Sequence, residues 1–280
     1  MIKISNLHIS LKMMATLAMV AIAVSCSGSA SQAGKTSSKS TKTSAASGDL
    51  TEVVIPSGTT NQTVHHKAIT IYFNKDYRIP NCVSYELTST IVAQCDAPGA
   101  EKRSNYKFEP DPDVASSPVH SDYSGTGYDR GHMAPANDFK WNPTTMAECF
   151  YMTNMCPQNH ELNNGAWKKI ENYVHNWAKK FGRLIVVTGP VLTKGMAMTG
   201  RKSNIAVPTK FFKVVLAPDQ QQAVAFVYDN AESRTGIRRH VTTVDAVEQM
   251  TGLDFFSALP DNVESTVEAT SDLDKWGTSK

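Results

Sequence analysis

The sequence predicts an α+β domain with a mainly antiparallel sheet and helices. Three observations carry this. Several short stretches are rich in β-branched and aromatic residues and alternate or run apolar, as strands do. One long segment, "NNGAWKKIENYVHNWAKKFG", repeats its apolar residues at helical spacing. Strands and helices follow one another without a regular strand–helix–strand rhythm, which argues against a parallel sheet.

The elements follow in chain order. "ITIYFNK" (69–75) and "CVSYELT" (82–88) read as strands, and "TIVAQC" as a further strand after a short turn. On that reading Cys82 and Cys95 can face each other. "EPDPDVASSPVHSDYSGTG" (109–127) is dense in Pro, Ser, Asp and Gly and reads as a long loop. "CFYMTNM" (149–155) reads as a strand. A straight strand would hold Cys149 and Cys156 about 23 Å apart, beyond disulfide reach. In the long helix Trp167, Ile170, Val174, Trp177 and Phe181 form one apolar stripe, and Gly182 is placed to end it. "RLIVVTGPV", "KFFKVVLAP" and "AVAFVYD" are strands. "VDAVEQMTG" is a short helix, with Thr242 as a candidate N-cap and Gly252 after its end.

The N-terminus has a different character. Lys3 and Lys12 precede an apolar run, Met13 to Val24. The run is about 12 residues, too short to span a bilayer and suited to a signal-peptide core. It ends in small residues before Cys26, as in a bacterial lipobox, although Ala23 stands where leucine is usual. The expectation is a signal peptide over 1–26 and a flexible Ser/Thr/Lys-rich tether over 27–50. The protein would then be an exported lipoprotein of the bacterial envelope held to the membrane through Cys26, or a secreted one cut slightly later. Residues 51–280 remain for one domain with a proper core.

The net charge of +2 is mild. It lacks the strong positive excess of a tight nucleic-acid binder and is compatible with an enzyme that releases a polyanion. No cysteine pair has zinc-finger spacing. The chemistry-bearing residues concentrate elsewhere. "GYDRGHMAPANDF" sets Asp129, Arg130, Gly131 and His132 side by side, and "TNMCPQNHELNNGAWKKIE" offers Asn154, Gln158, Asn163 and Glu171 downstream. A histidine on a strand facing an oxygen ligand on a helix is one way to build a hydrolytic metal site.

"DRGHMAP", "FYMTNMCPQ" and "LNNGAWKKIE", in this order, resemble the DNA/RNA non-specific endonuclease family of sugar-non-specific ββα-metal nucleases. "VTGPV", "VPTKFFKVV" and "MTGLDFF" extend the likeness from Ile69 to about Pro260. The resemblance implies a ββα-metal (His-Me finger) site and Mg²⁺-dependent hydrolysis of DNA and RNA phosphodiesters with little sequence preference. His132 matches the general base, and a neutral imidazole suits that task near pH 7. Asn163 matches the metal ligand. Its neutral amide suits Mg²⁺, which keeps much of its hydration shell, with Mn²⁺ as another cation the site would accept. The same asparagine can cap the helix.

Glu171 follows Asn163 by eight positions, about 80° around and ~12 Å along an α-helix. The implied role is to hold a metal-bound water. Arg130 matches an arginine that clamps phosphate or holds the loop, and Arg103 an upstream phosphate-binding arginine with Lys107 as rival. Asn154 supports either metal waters or the active-site loop, Asp129 orients its neighbours, and Gly131 lets the backbone turn. The alternative is a non-catalytic surface lipoprotein that binds nucleic acid or a partner on the same fold.

Overall fold

The computed structural model describes residues 48–231 and 236–277. Residues 1–47, which carry the expected signal peptide, Cys26 and most of the tether, lie outside the described residues. Leu50, expected to close the tether, is buried and packs into the domain.

A seven-stranded sheet forms the centre. Its strands are β1 (Gln62–His65), β2 (Thr70–Asn74), β3 (Ile79–Thr88), β6 (Arg183–Pro190), β9 (Lys210–Ala217), β10 (Gln222–Asp229) and β11 (Val241–Thr242), in the order β1-β2-β3-β6-β9-β10-β11. Every neighbouring pair is antiparallel. Two further pairs stand apart: β4 (Asp129–His132) with β5 (Met155–Gln158), and β7 (Ala197–Thr199) with β8 (Ile205–Val207).

Both faces of the sheet are covered, which explains its unbroken apolar strands. Alternate residues point to opposite faces. Val186, Phe211 and Val215 join one core with Ile170, Val174 and Trp177 of helix α4 (Lys168–Phe181). Val187, Phe212 and Val214 join a second core. That core includes Val244 and Val247 of α5 (Val244–Thr251), Val267 of α6 (Asp261–Glu268), and Phe255 and Phe256 between them. The whole helical stripe read from the sequence is buried, and Gly182 closes α4 with φ 83°.

Three readings are corrected. "TIVAQC" is a helix, α1 (Ser89–Cys95), capped by Thr88 Oγ1, which accepts from the Ile91 N–H at 3.2 Å. Ile91 and Val92 favour a strand by composition, but the cap and the burial of Val92 and Cys95 prevail. "CFYMTNM" is not a strand either. Cys149 ends α2 (Pro143–Cys149), and Met152–Asn154 is a 3-10 turn leading into β5. Burial of all but Tyr151 there hides any periodicity. Cys82, Cys95, Cys149 and Cys156 are all free and buried. The cap of α5 is Thr243, one residue beyond the expected Thr242.

Gly189 sits where β6 passes β3. A Cβ there would stand 2.7 Å from the Asn81 carbonyl oxygen and 3.0 Å from Cys82 Cα. Both are backbone atoms, so the sheet itself must shift. Gly189→Ala is expected to destabilise the domain by about 2 kcal/mol, lowering Tm by about 4–8 °C in a thermal melt.

Candidate active site

The β4–β5 ribbon delivers the "DRGH" residues. His132 pairs with Met155, Gly131 with Cys156 and Asp129 with Gln158. Gly131 has no left-handed φ, so the expected turn is not its role. It makes room: a Cβ there would lie 2.3 Å from Gln158 Oε1 and 2.6 Å from Gln158 Cβ. After β5 the chain enters one helical run, α3 (His160–Leu162), a π turn (Asn163–Trp167) and α4. Asn159 caps it, accepting from Glu161 and Leu162 N–H groups, so capping does not fall to Asn163. Trp167 Nε1 donates to the His132 carbonyl at 3.2 Å and ties ribbon to helix.

Between ribbon and helix lies a cleft of about 890 Å³, lined by Arg103, Arg130, His132, Asn163, Lys168 and Glu171 among others. His132 is 7% exposed. Its ring lies 5.4 Å from that of Phe108 and 5.0 Å from that of Phe150. Nε2 has no hydrogen-bond partner. Burial, reinforced by the charge of Arg103, lowers the His132 pKa to about 3. The imidazole is therefore neutral at pH 7.

Two cations flank it. The Arg103 guanidinium lies 5.0 Å over the Phe150 ring and that of Arg130 5.0 Å over the Phe108 ring. Among the described residues neither is ion-paired, and Arg130 Nε is buried without a partner. The arginines are held by ring faces while their N–H groups stay available to an anion. Lys107 is exposed and does not line the cleft.

Asp129 has a definite task. Its Oδ2 accepts from Asn163 Nδ2 at 2.8 Å and also contacts His160 Nδ1 at 3.0 Å. This fixes the Asn163 amide by its nitrogen and leaves its oxygen free for another ligand. Glu171 lines the same cleft. A π turn takes more residues than an α turn. The one at Asn163–Trp167 winds Glu171 back toward Asn163, from which an unbroken α-helix would turn it by about 80°. Asn154 is fully buried. Its side chain accepts from Ala134 N at 2.9 Å and donates to Ala134 O and Cys149 O at 3.0 and 2.8 Å. These bonds hold the backbone just after His132, which favours the loop over metal waters as its task.

The structure adds a buried network absent from the sequence reading. Asp138 accepts from Tyr85 OH at 3.1 Å and meets His175 Nδ1 at 2.7 Å. His175 Nε2 meets Asp96 at 3.2 Å, and Asp96 meets Lys179 at 2.7 Å. Burial opposes charge on His175, but hydrogen bonds and charge from Asp138 and Asp96 outweigh it and raise its pKa. Beneath the cleft, Lys213 of β9 is wholly buried. Its Nζ reaches Thr188 Oγ1 at 3.2 Å and lies 4.7 Å over the Trp167 ring. Burial pushes Glu171 up and Lys213 down, and their mutual attraction opposes both shifts. The available signal was a lysine in the middle of "KFFKVVLA" and a histidine beside the stripe residue Val174.

The low basicity of His132 has a consequence for stability. The folded ring takes no proton until about pH 3, whereas the unfolded chain takes one near 6.5. Between those values the unfolded state binds the extra proton. Stability is thus fully present above pH 6.5 and falls as pH drops, by at most about 1.4 kcal/mol per unit from this group. In an NMR titration the His132 ring signal should stay flat from pH 8 to about 4.5, and His132→Asn should flatten the acid limb of stability. A His132 midpoint near 6.5 would contradict the buried geometry.

Comparison with known proteins agrees with this ββα arrangement. The model of the family described as DNA/RNA non-specific endonuclease matches residues 46–262. The mitochondrial nuclease EXOG of Danio rerio is 35% identical over 67% of this chain and 58% of its own length. Nuclease C1 of Cunninghamella echinulata var. echinulata is 33% identical over 72% of this chain and 85% of its own. The chain thus spans about half the length of some relatives, 49% for mouse EXOG. A chain in the crystal structure of the EndoG/EndoGI complex superposes with a TM-score of 0.66 at 27% identity, covering 71% of this chain and 87% of that one. The relatives also correct the expected location. Those from zebrafish, human and fission yeast are named as mitochondrial nucleases, which speaks against the expected lipoprotein of the bacterial envelope. With the ribbon, the helix and the matched span in agreement, the chain belongs to the DNA/RNA non-specific endonuclease family.

Proposed function

We propose that the protein is a Mg²⁺-dependent endonuclease that hydrolyses phosphodiester bonds of DNA and RNA without strong sequence preference. The observation that carries this is the pairing, across one cleft, of a neutral, unpartnered His132 with an Asn163 whose amide nitrogen is already engaged by Asp129. Nucleases of this family are metal-dependent. The free Asn163 oxygen fits a hard cation that keeps most of its waters, and the half-buried Glu171, which lines the same cleft, would hold one of those waters. Mn²⁺ fits the same donors. Bound there, the cation would offset the charge that builds on the phosphate and the leaving 3′ oxygen.

The chain's own residues do the rest. Arg103 and Arg130 grip phosphate oxygens, and His132 takes a proton from the attacking water. The bond to the 3′ oxygen breaks and the 5′ phosphate stays with the other fragment. Contacts directed at phosphate carry no base information, in keeping with weak sequence preference.

The test is digestion of plasmid DNA and of RNA by the purified full-length chain. Both should be cut with 5 mM Mg²⁺ and spared in EDTA. His132→Ala should lower kcat by about 10²–10⁴-fold while the protein stays folded. Asn163→Ala and Asp129→Ala should both raise the Mg²⁺ concentration needed for half-maximal rate. Intact substrates under every divalent cation, or undiminished cleavage by His132→Ala, would sink the proposal. Cleavage confined to small phosphodiesters would refute the substrate class alone.

A further inference from the structure

A second group of acids lies outside the cleft. Helix α5 carries Asp245 and Glu248, α6 carries Glu264 and Glu268, and Asp254 sits between the helices. One carboxylate oxygen from each of Asp245, Glu248 and Glu268 lies within 4.8 Å of the other two. Glu268 is only 6% exposed, and its Oε1 is buried without a hydrogen-bond partner. Glu248 is fixed in place because its Oε1 accepts the Phe255 N–H at 2.7 Å. Among the described residues no Lys or Arg pairs with any of these acids. Burial first, then Glu248, Glu264, Asp245 and Asp254, push Glu268 up to about 9. A buried carboxyl set among other carboxylates either keeps its proton or faces a cation that displaces it.

We propose that Asp245, Glu248 and Glu268 form a Ca²⁺ site that joins α5 to α6. The donors are all hard oxygens, with no histidine or cysteine to favour zinc or copper. Ca²⁺ takes several carboxylate oxygens in a flexible shell, whereas Mg²⁺ is held by one or two carboxylates and keeps several waters. None of the three lines the His132 cleft. Glu264 and Glu268 also lie past residue 262, where the family match ends. The other acidic group, His66 with Asp111 and Asp113, differs in kind. There Asp111 is already bonded to His66 at 2.9 Å and Thr153 at 2.6 Å, a closed knot with its donors in use. At the α5–α6 seam the ion would hold Val267 and its helix against the second face of the sheet.

The test compares thermal melts of the full-length chain in EDTA and in 5 mM CaCl₂, with calorimetric titration of CaCl₂ into metal-free protein. Wild type should gain about 5 °C with CaCl₂. Glu268→Gln and Asp245→Asn should lose that gain and the calorimetric site. In EDTA, Glu268→Gln should melt no lower than wild type, because it removes the crowded carboxylate at constant shape. Asn163→Ala should keep the gain, which separates this site from the cleft. No gain in wild type, an equal gain in Glu268→Gln and Asp245→Asn, or loss of the gain in Asn163→Ala would each overturn the proposal.

Discussion

Burial of both faces of the seven-stranded sheet is the constraint from which the other features follow. β3, β6 and β9 are buried at nearly every position because these strands lie between two cores. One face is closed by α5 and α6, and the other by α4 with the segments around the β4–β5 ribbon. The site is built on that second layer. Trp167 joins its parts: its ring packs near Phe211 and Tyr228, and its N–H holds the His132 carbonyl. The ribbon is thereby located by the sheet beneath it as well as by its own few hydrogen bonds, and a four-residue strand suffices to place a histidine.

The same burial sets the charge states. In a weakly polar interior an isolated charge is costly, so ionisable groups either lose charge or gather partners. His132 takes the first course, with aromatic neighbours and no partner on Nε2. His175, one helical turn beyond Glu171, takes the second between Asp138 and Asp96. Two histidines, one lining the cleft and one bonded to Asp96 and Asp138 of its wall, thus shift in opposite directions for a stated reason. Lys213 brings a cation beneath Glu171 without contact with solvent, and cation–π geometry over Trp167 replaces part of its lost hydration.

The sheet, the α4 stripe and the grouping of His132, Asn163 and Glu171 were legible because each depends on local pattern or on motif order. Where sequence reading failed, a long-range fact decided. Ile91 and Val92 look like strand residues, and a threonine cap followed by core contacts made a helix of them. Phe150 and Met152 to Met155 are buried with only Tyr151 partly open, so no period distinguishes a turn from a strand. The capping asparagine is Asn159, and the π turn that follows has no signature in composition. Asp138, Asp96 and His175 are scattered along the chain and meet only in three dimensions. The expected location failed for a different reason, since a basic and apolar start is common to several destinations.

Asp129 and Arg103 give the clearest view of how the site prepares its chemistry. Asp129 spends its carboxylate on the Asn163 amide and His160, so its charge orients a neutral ligand. Arg103 acts on His132 without touching it. With no anion nearby, its charge adds to burial and makes the imidazole a very weak base. A phosphate held between Arg103 and Arg130 brings opposite charge to the same place, cancels that repulsion and favours the protonated imidazole. In the proposed reaction the basicity of His132 therefore rises only when substrate is in the cleft. Burial remains the larger cause, so full activation also requires the displaced water and the developing imidazolium to share the hydration that the phosphate brings in. In the proposed reaction such a base is coupled to its substrate, and the Nε2 of His132, which no protein group engages, is the atom left to take the proton.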